Sequence, residues 1–223
     1  MNSEVTLLPL GDQAVLAYFA DEPAALRFAA AVSRAAPPWL VDVVPAYASV
    51  AVFFDPDRCD FRTAAEHLRG LADQAGHCAE PAAGRHHVIP CCYEMGPDLA
   101  RVADAAGLAT DDVIRLHTGT EYMVYAIGFC PGFPYLGYLP PELCGLPRLP
   151  APRLRVEAGS VGLTGRQTGI YTLPRPGGWN LVGRTPLVLV DVAAGYFPLR
   201  TGDRVRFTCI DEAEYRRLEG ERL

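Results

Sequence analysis

Short apolar runs and helically spaced apolar residues alternate along the first third of the chain. The spacing at about 23–35 and 60–76 predicts two helices, the second with Asp60 as its N-cap. Four runs rich in β-branched and aromatic residues predict strands, and they lie at residues 5–10, 14–19, 41–44 and 49–54. The order β-β-α-β-β-α predicts a small ferredoxin-like α/β domain.

The pattern changes at residues 77–87, HCAEPAAGRHH, which have no apolar periodicity. We interpret this stretch as a solvated linker rather than a metal site, because its histidines have no acidic or cysteine partner at ligand spacing. Beyond it, helical spacing at 99–107 and a short helix capped by Thr110 precede a series of short strands between glycine-rich turns. Such a series is typical of a small closed barrel. The strands are expected at residues 88–93, 123–127, 156–163, 170–173, 187–192 and 205–209.

The predicted fold class is therefore α+β, with an α/β domain at residues 1–85 and a β-barrel domain at residues 86–223. The opening sequence MNSEVTLLPL lacks a positive segment followed by a long apolar run. No stretch approaches the ~20 apolar residues that span a bilayer. We expect a cytoplasmic protein without membrane contact. Seven cysteines without CxxC spacing predict reduced, mostly buried thiols.

The charge composition excludes several functions. The formal net charge is -6, and the basic residues form no stripe, which argues against nucleic-acid binding. All 20 basic residues are arginine. The chain therefore has no lysine for a P-loop, for a Schiff base or for biotin attachment. Any nucleotide phosphate that it helps to bind must meet arginine, backbone N–H groups or a partner protein.

Two blocks combine glycine, proline and aromatic residues more densely than core packing requires. They are residues 128–140, GFCPGFPYLGYLP, and residues 158–185, AGSVGLTGRQTGIYTLPRPGGWNLVGRT. Glycine permits positive φ or close approach of other groups, and proline fixes φ, so such mixtures specify rigid, irregular backbone. Rigid loops on a scaffold are where functional sites usually lie.

A known pattern reads GFxPGFxYLG, then PRxxVPAGSVGxxGxQTGxYPxxxPGGWxLIGRT, then LxxGDxVxF. The two blocks match it together with Pro152-Arg153 before the second block and with Leu199, Gly202-Asp203, Val205 and Phe207 after it. The chain thus resembles the family that includes the B subunit of 5-oxoprolinase, allophanate hydrolase subunit 1 (carboxyltransferase subdomains C and D) and an inhibitor of a sporulation histidine kinase. The resemblance runs from Ile89 to Phe207. It departs at Glu157 and Thr172, where the pattern prefers proline.

The resemblance implies a cyclophilin-like barrel and a role as the B subunit of an ATP-dependent 5-oxoprolinase. Such a complex opens the lactam 5-oxo-L-proline to glutamate with a homologous C subunit and an A subunit, using ATP with Mg²⁺. In this interpretation Gln167 and Arg184 hold the lactam and its carboxylate, and His117 manages a proton. No metal ligand and no biotin are expected on this chain. The residues expected to line the substrate site are Phe133, Tyr135, Ser160, Thr168, Tyr171 and Trp179.

The same residues could have structural roles instead of functional ones. His117 could instead be a histidine near a helix C-terminus, favoured there by the helix dipole. Gln167 and Thr168 could satisfy loop backbone, and Arg184 could pair with Asp191. We expect five aromatic residues to lie at a pocket rim and a subunit interface rather than purely in the core. Some of them should form an exposed apolar patch. The five are Phe129, Phe133, Tyr135, Tyr138 and Trp179.

The sequence contains no Gly-x-Ser-x-Gly elbow, no HExxH and no GxGxxG. Ser160 has no base that the sequence reveals, so the chain does not resemble a self-sufficient hydrolase. Two rival functions stay open. One is a carboxyltransferase half that acts on urea or another amide, with biotin on another protein. The other is a regulatory module that binds and inhibits a sensor histidine kinase.

Overall fold

The computed structural model describes residues 5–75 and 84–223. They fall into two compact units, one within the first 83 residues and the other from Gly84 onward. Within the described residues, the four-stranded sheet of the first unit and the barrel of the second share no strand pairing. The predicted combination of a mixed α/β fold with a closed barrel is confirmed.

The first unit is a four-stranded antiparallel sheet with two helices. Its strands are β1 (Thr6–Pro9), β2 (Ala14–Tyr18), β3 (Leu40–Ala46) and β4 (Ser49–Phe54), and its helices are α1 (Glu22–Ala35) and α2 (Phe61–Ala75). The strand order is β1-β2-β4-β3, and each neighbouring pair is antiparallel. Strands β2 and β3 therefore run parallel with β4 between them and are joined by α1. This is the split β-α-β unit of a ferredoxin-like sheet.

Local signals in the sequence explain these elements. The Asp21 carboxylate accepts a hydrogen bond from the Ala24 N–H (2.8 Å) and caps α1. The Asp60 carboxylate accepts from the Thr63 N–H (2.8 Å), as predicted for the N-cap of α2. Strand β4 alternates, with its buried positions Val50, Val52 and Phe54 packing in the core shared with the helices.

The second unit is a seven-stranded closed barrel with three α-helices. The barrel order is β10-β7-β6-β13-β5-β12-β9, and β8 and β11 form a separate two-stranded ribbon. The strands are β5 (His86–Cys92), β6 (Glu121–Ile127), β7 (Pro134–Gly137), β8 (Arg153–Val156), β9 (Ser160–Thr164), β10 (Gln167–Ile170), β11 (Arg175–Gly177), β12 (Asn180–Arg184) and β13 (Arg204–Ile210). The helices are α3 (Leu99–Ala106), α4 (Thr110–Gly119) and α5 (Glu212–Leu218).

Several boundaries differ from the sequence predictions. The strand predicted at 156–163 is divided between β8 and β9, because Gly159 adopts φ +84° and turns the chain. The apolar run at 187–192 forms only isolated bridges, at Val188 and Asp191, instead of a strand. The prediction of Thr110 as a cap is wrong, because Thr110 is the first residue of α4 and the preceding Ala109 makes no side-chain capping bond.

The Gly202-Asp203 turn of the third matched block is a structural junction. The buried Asp203 carboxylate accepts hydrogen bonds from the Arg85 N–H (2.8 Å) and the Arg200 N–H (2.9 Å). It also contacts His87 Nε2 at 3.1 Å. Asp203 thus fixes the starts of β5 and β13, which pair in parallel over their whole length. This explains an Asp at a buried position in the matched pattern without a catalytic role.

Cys59, Cys91, Cys92 and Cys130 are buried free thiols, Cys144 is half-buried and Cys209 is exposed, while Cys78 lies outside the described residues. Within residues 5–75 and 84–223, no three histidine, cysteine or acidic side chains are grouped so that they could hold a metal ion. The described helices also include none that is long and apolar enough to cross a membrane. Of the predicted linker histidines, His77 lies outside the described residues, and the other two belong to β5.

Candidate functional site

Two glycines on the outer face of the barrel make room for an aromatic layer. On β9, Val161 and Leu163 belong to the barrel core, so Gly162 between them faces outward. A Cβ at Gly162 would lie 3.0 Å from the Cβ of Trp179. On β10, a Cβ at Gly169 would lie 3.0 Å from ring atoms of both Phe133 and Trp179. The two rings can therefore approach the outer face of the barrel only because these positions lack side chains.

This layer is a second core, outside the barrel. We call it the outer aromatic core, and its members are Cys130, Phe133, Val156, Tyr171, Trp179 and Leu181, with Tyr135 packed at its edge. Phe133 stands nearly perpendicular to the rings of Tyr171 and Trp179, with centroids 5.3 and 5.5 Å away. Such edge-to-face contacts are favourable beyond the apolar area that they bury.

The prediction that the aromatic residues favour a rim or an interface is wrong for two of the five. Phe133 and Trp179 are only 1% and 5% exposed, because the barrel glycines accept their rings. Tyr135 and Tyr138 are half-buried, and Phe129 is exposed. The sequence signal that could have placed the two buried rings was the outward glycine at alternate positions of β9 and β10.

A polar network that the sequence analysis missed anchors the ribbon beside this core. The buried Asp98 carboxylate accepts two hydrogen bonds from Arg153 (2.8 and 2.9 Å) and one from the Leu181 N–H (2.7 Å). The Asn180 side chain donates to the carbonyl oxygens of Pro147 (3.0 Å) and Leu163 (2.8 Å). The matched Arg153 is thereby explained as the ion-pair partner of Asp98: one terminal nitrogen, Nη2, contacts both carboxylate oxygens, and the pair holds β8 against the barrel.

His117 lies inside the barrel unit with no exposed surface. Its Nδ1 lies 2.6 Å from the Tyr93 hydroxyl, and its Nε2 lies 3.1 Å from Thr168 Oγ1. Its ring also stacks on Phe207, with centroids 4.5 Å apart. Both ring nitrogens therefore have protein partners, and the imidazole is surrounded by packed side chains.

The hydrogen bonds define the protonation state of His117. The Thr168 hydroxyl donates its single proton to the Gly162 carbonyl (3.1 Å), so it can only accept from His117. The imidazole therefore carries its proton on Nε2 and accepts from Tyr93 at Nδ1. Burial lowers the pKa of His117 from 6.5 to about 3, because the charged form would be desolvated. The ring is neutral at pH 7.

Strand alternation separates Gln167 from Thr168. Thr168 is fully buried in the barrel interior, whereas Gln167 is half-buried and begins the strand, opposite Gly137 of β7 and Thr164 of β9. The side chains of Gln167 and Thr168 therefore do not share one face of the strand, since neighbouring strand residues face opposite sides. Of the two, only Gln167 is partly accessible.

Arg184 and Ser160 lie opposite each other where β12 pairs with β9. Arg184 Nε donates to the Ala158 carbonyl (2.9 Å), and its guanidinium lies 5.9 Å from the ring centre of Tyr215. The alternative of an ion pair with Asp191 is wrong, because that carboxylate pairs with Arg222 at 2.7 Å. Ser160 is buried beside the positive-φ Gly159.

The structure thus groups the predicted site residues in three places. His117 and Thr168 are joined inside the barrel, Ser160 and Arg184 pair across two strands, and the aromatic residues form the outer aromatic core with Tyr135 at its edge. Gln167 stands at the start of β10. A complete nucleophile–base–orienter set does not form among these residues.

These features define a closed barrel with a glycine-dependent outer layer. Residues 5–197 match the family described as carboxyltransferase domain, subdomain C and D. The chain belongs to this family. Among curated relatives, it is 36% identical to the 5-oxoprolinase B subunit of Bacillus subtilis (strain 168), covering 95% of both chains. It is 43% identical to the 5-oxoprolinase B subunit of Escherichia coli O157:H7, covering 76% of this chain and 78% of that one.

Solved structures share the fold of this chain. The protein TTHA0988 matches with a TM-score of 0.78 and 41% identity, covering 89% of this chain. The chain spans only 40% of TTHA0988, which therefore carries the same fold within a longer polypeptide. The urea carboxylase of Kluyveromyces lactis matches with a TM-score of 0.74 and covers 96% of this chain and 22% of that one. At 18% identity, this last likeness concerns the fold alone.

Proposed function

We propose that this chain is the B subunit of a 5-oxoprolinase and acts with partner subunits to open 5-oxo-L-proline to L-glutamate. The observation that carries the proposal is its identity of 36–43% to three curated 5-oxoprolinase B subunits, over 75–95% of its length. The lack of a complete catalytic set among the described side chains agrees with a subunit that contributes to a shared site.

The proposed assembly couples lactam opening to ATP hydrolysis. An unstrained lactam is a poor electrophile, and phosphorylation of its carbonyl oxygen would supply a leaving group. The donors that this chain can offer to phosphate are arginine side chains and backbone N–H groups, since it contains no lysine. Among the described residues, no three histidine, cysteine or acidic side chains are grouped so that they could hold Mg²⁺.

Gln167 is the predicted substrate residue that the geometry supports best. It is half-buried at the edge of a rigid barrel strand, and an amide can donate to a lactam carbonyl and accept from a lactam N–H. Arg184 is also partly accessible. Its Nε is already engaged with Ala158, so its terminal nitrogens are the donors that it can offer to a substrate carboxylate.

His117 fits a positioning role better than proton transfer. It is fully buried, neutral and bonded at both ring nitrogens. Its bond to Thr168 fixes β10, the strand that begins with Gln167. A general base must instead reach the proton that it abstracts.

Reconstitution tests the proposed function. The chain, the C subunit and the A subunit encoded by the same genome are purified, and ATP hydrolysis is measured with 5-oxoproline, with urea and without substrate. We expect hydrolysis that depends on 5-oxoproline and on all three proteins. No stimulation by 5-oxoproline in the full mixture would refute the proposal.

Two variants test the site within that assay. Gln167→Ala should abolish 5-oxoproline-dependent turnover and leave complex formation intact, because it removes only the amide. Arg175→Ala, on the exposed strand β11, is the matched control and should retain turnover. Equal turnover in both variants would show that Gln167 does not contribute to the substrate site.

One specific observation favours the carboxyltransferase alternative: the chain shares its fold with a urea carboxylase. It would require a separate biotin carrier, because this chain has no lysine to carry biotin. The urea arm of the assay, repeated with carboxybiotin, distinguishes this function from lactam opening.

A further inference from the structure

The loop between β6 and β7 holds an aromatic side chain outward. Phe129 is 57% exposed and adopts φ +63°, a left-handed conformation that is uncommon for a bulky residue. Its ring touches Phe133 and Tyr171 only through edge contacts, at 5.4 and 6.1 Å between centroids. An exposed apolar ring on strained backbone needs an explanation, since folding alone favours neither feature.

The surrounding loop fixes this conformation. The Gly128 N–H donates to the Phe133 carbonyl (3.1 Å), and the Phe133 N–H donates to the Cys130 carbonyl (3.1 Å). The Thr172 hydroxyl donates to the Pro131 carbonyl (2.7 Å), and the Cys130 side chain is buried in the outer aromatic core. The ring of Phe129 is therefore presented by a rigid turn and does not lie on a flexible loop.

A second loop adds apolar surface beside it. A Cβ at Gly132 would lie 2.2 Å from Val190 Cγ2 and 3.6 Å from Phe197 Cδ1, so the two loops are in direct contact. Phe197 is 43% exposed, and Val192 in the same loop is 56% exposed. We call Phe129, Val192 and Phe197 the Phe129 surface. Exposed apolar residues on two loops in contact are typical of a binding surface.

We infer that the Phe129 surface is the docking site for the C subunit, with Phe129 as the anchor that enters an apolar pocket of that subunit. This inference rests on the proposed function. The 5-oxoprolinase relatives are named as subunits of an assembly, and TTHA0988 carries the same fold joined to a longer chain. Where the two parts are separate polypeptides, their contact must be noncovalent. Preorganised aromatic anchors are typical hot spots of such interfaces.

The test compares the full chain with two variants. Phe129→Asn removes the ring but suits a left-handed backbone, so the chain should still fold. Leu154→Ser replaces another apolar residue, 92% exposed on β8, and serves as the matched control. Binding of each purified chain to the C subunit from the same genome is measured by calorimetry, and folding is checked by thermal melting.

We expect Phe129→Asn to raise the Kd about 30-fold or more, with a melting temperature close to that of the wild type. Leu154→Ser should change the Kd less than about 3-fold. If the wild type binds the C subunit and Phe129→Asn binds equally well, the inference fails and the proposed function stands. If the wild type does not bind, both fail. If the variant abolishes only self-association, the occupant is a second copy and the inference is wrong.

Discussion

The two cores of the barrel unit are built by different rules. The inner core follows strand alternation, with aliphatic and aromatic residues from every barrel strand and one buried histidine satisfied at both nitrogens. The outer aromatic core lies on the opposite face of the same strands, where glycine replaces side chains. The inner core needs apolar residues at alternate strand positions. The outer aromatic core needs particular strand positions to lack side chains.

The difference explains why the matched pattern is rich in glycine. Gly162 and Gly169 do not adopt positive φ, and their role is to admit Trp179 and Phe133. Replacement by any larger residue would force the rings away from the barrel. Glycines in the pattern thus allow the outer aromatic core to pack against the barrel.

Removal of Trp179 should have the largest effect. Trp179→Ala should lower the free energy of unfolding by about 3–5 kcal/mol, because it empties the centre of the outer aromatic core. Phe207→Ala in the inner core should cost a similar amount. Urea denaturation measures both. A loss below about 1 kcal/mol for Trp179→Ala would show that the outer layer is peripheral to stability.

The buried histidine should make the inner core sensitive to acid. Its pKa of about 3 in the folded state lies below 6.5, so between these values the unfolded chain binds more protons and stability rises with pH. The contribution is complete above pH 6.5 and is lost by about 1.4 kcal/mol per pH unit as the pH falls toward 3. Burial raises the pKa of the neighbouring Tyr93 and Tyr122, so both stay neutral here.

Denaturation of the wild type and of His117→Gln between pH 7 and 4 isolates this contribution. The variant should lose less stability over that range, by about 3 kcal/mol. Equal slopes would contradict a neutral, buried His117.

A side chain at an outward glycine should have a smaller effect. Gly169→Ala places a Cβ 2.9 Å from the Pro134 carbonyl oxygen and 3.0 Å from Phe133 and Trp179, and overpacking of this kind should cost about 1–3 kcal/mol. Gly70→Ala is the control. It meets nothing within 4 Å in α2, and it should stabilise the chain by up to about 1 kcal/mol. Thermal melts that shift in the same direction for both would undermine the account of the glycines.

The smallest expected effect concerns the tyrosine that bonds His117. Tyr93→Phe removes the hydroxyl 2.6 Å from Nδ1 and leaves a buried acceptor unpaired, which should cost about 1–2 kcal/mol. Chemical denaturation at pH 7 measures it. A more stable variant would mean that the Tyr93 hydroxyl does not form a hydrogen bond with His117.

The sequence predicted the elements whose signals are local. Alternation placed β4, and Asp60 marked the start of α2, because a cap and a two-residue period depend on neighbouring positions. Strands β7 and β12 were missed, since glycine and proline hide their periodicity. The burial of His117 and the pairing of Asp98 with Arg153 depend on contacts between distant segments, which one sequence does not reveal.

The most direct test of the proposed function follows the product. Carbon-13-labelled 5-oxoproline is incubated with ATP, Mg²⁺ and the A, B and C subunits, and glutamate is detected by NMR in the full mixture and with each of the three proteins omitted. The account predicts labelled glutamate in the full mixture and none when this chain is left out. Glutamate formed at the same rate without this chain would contradict it.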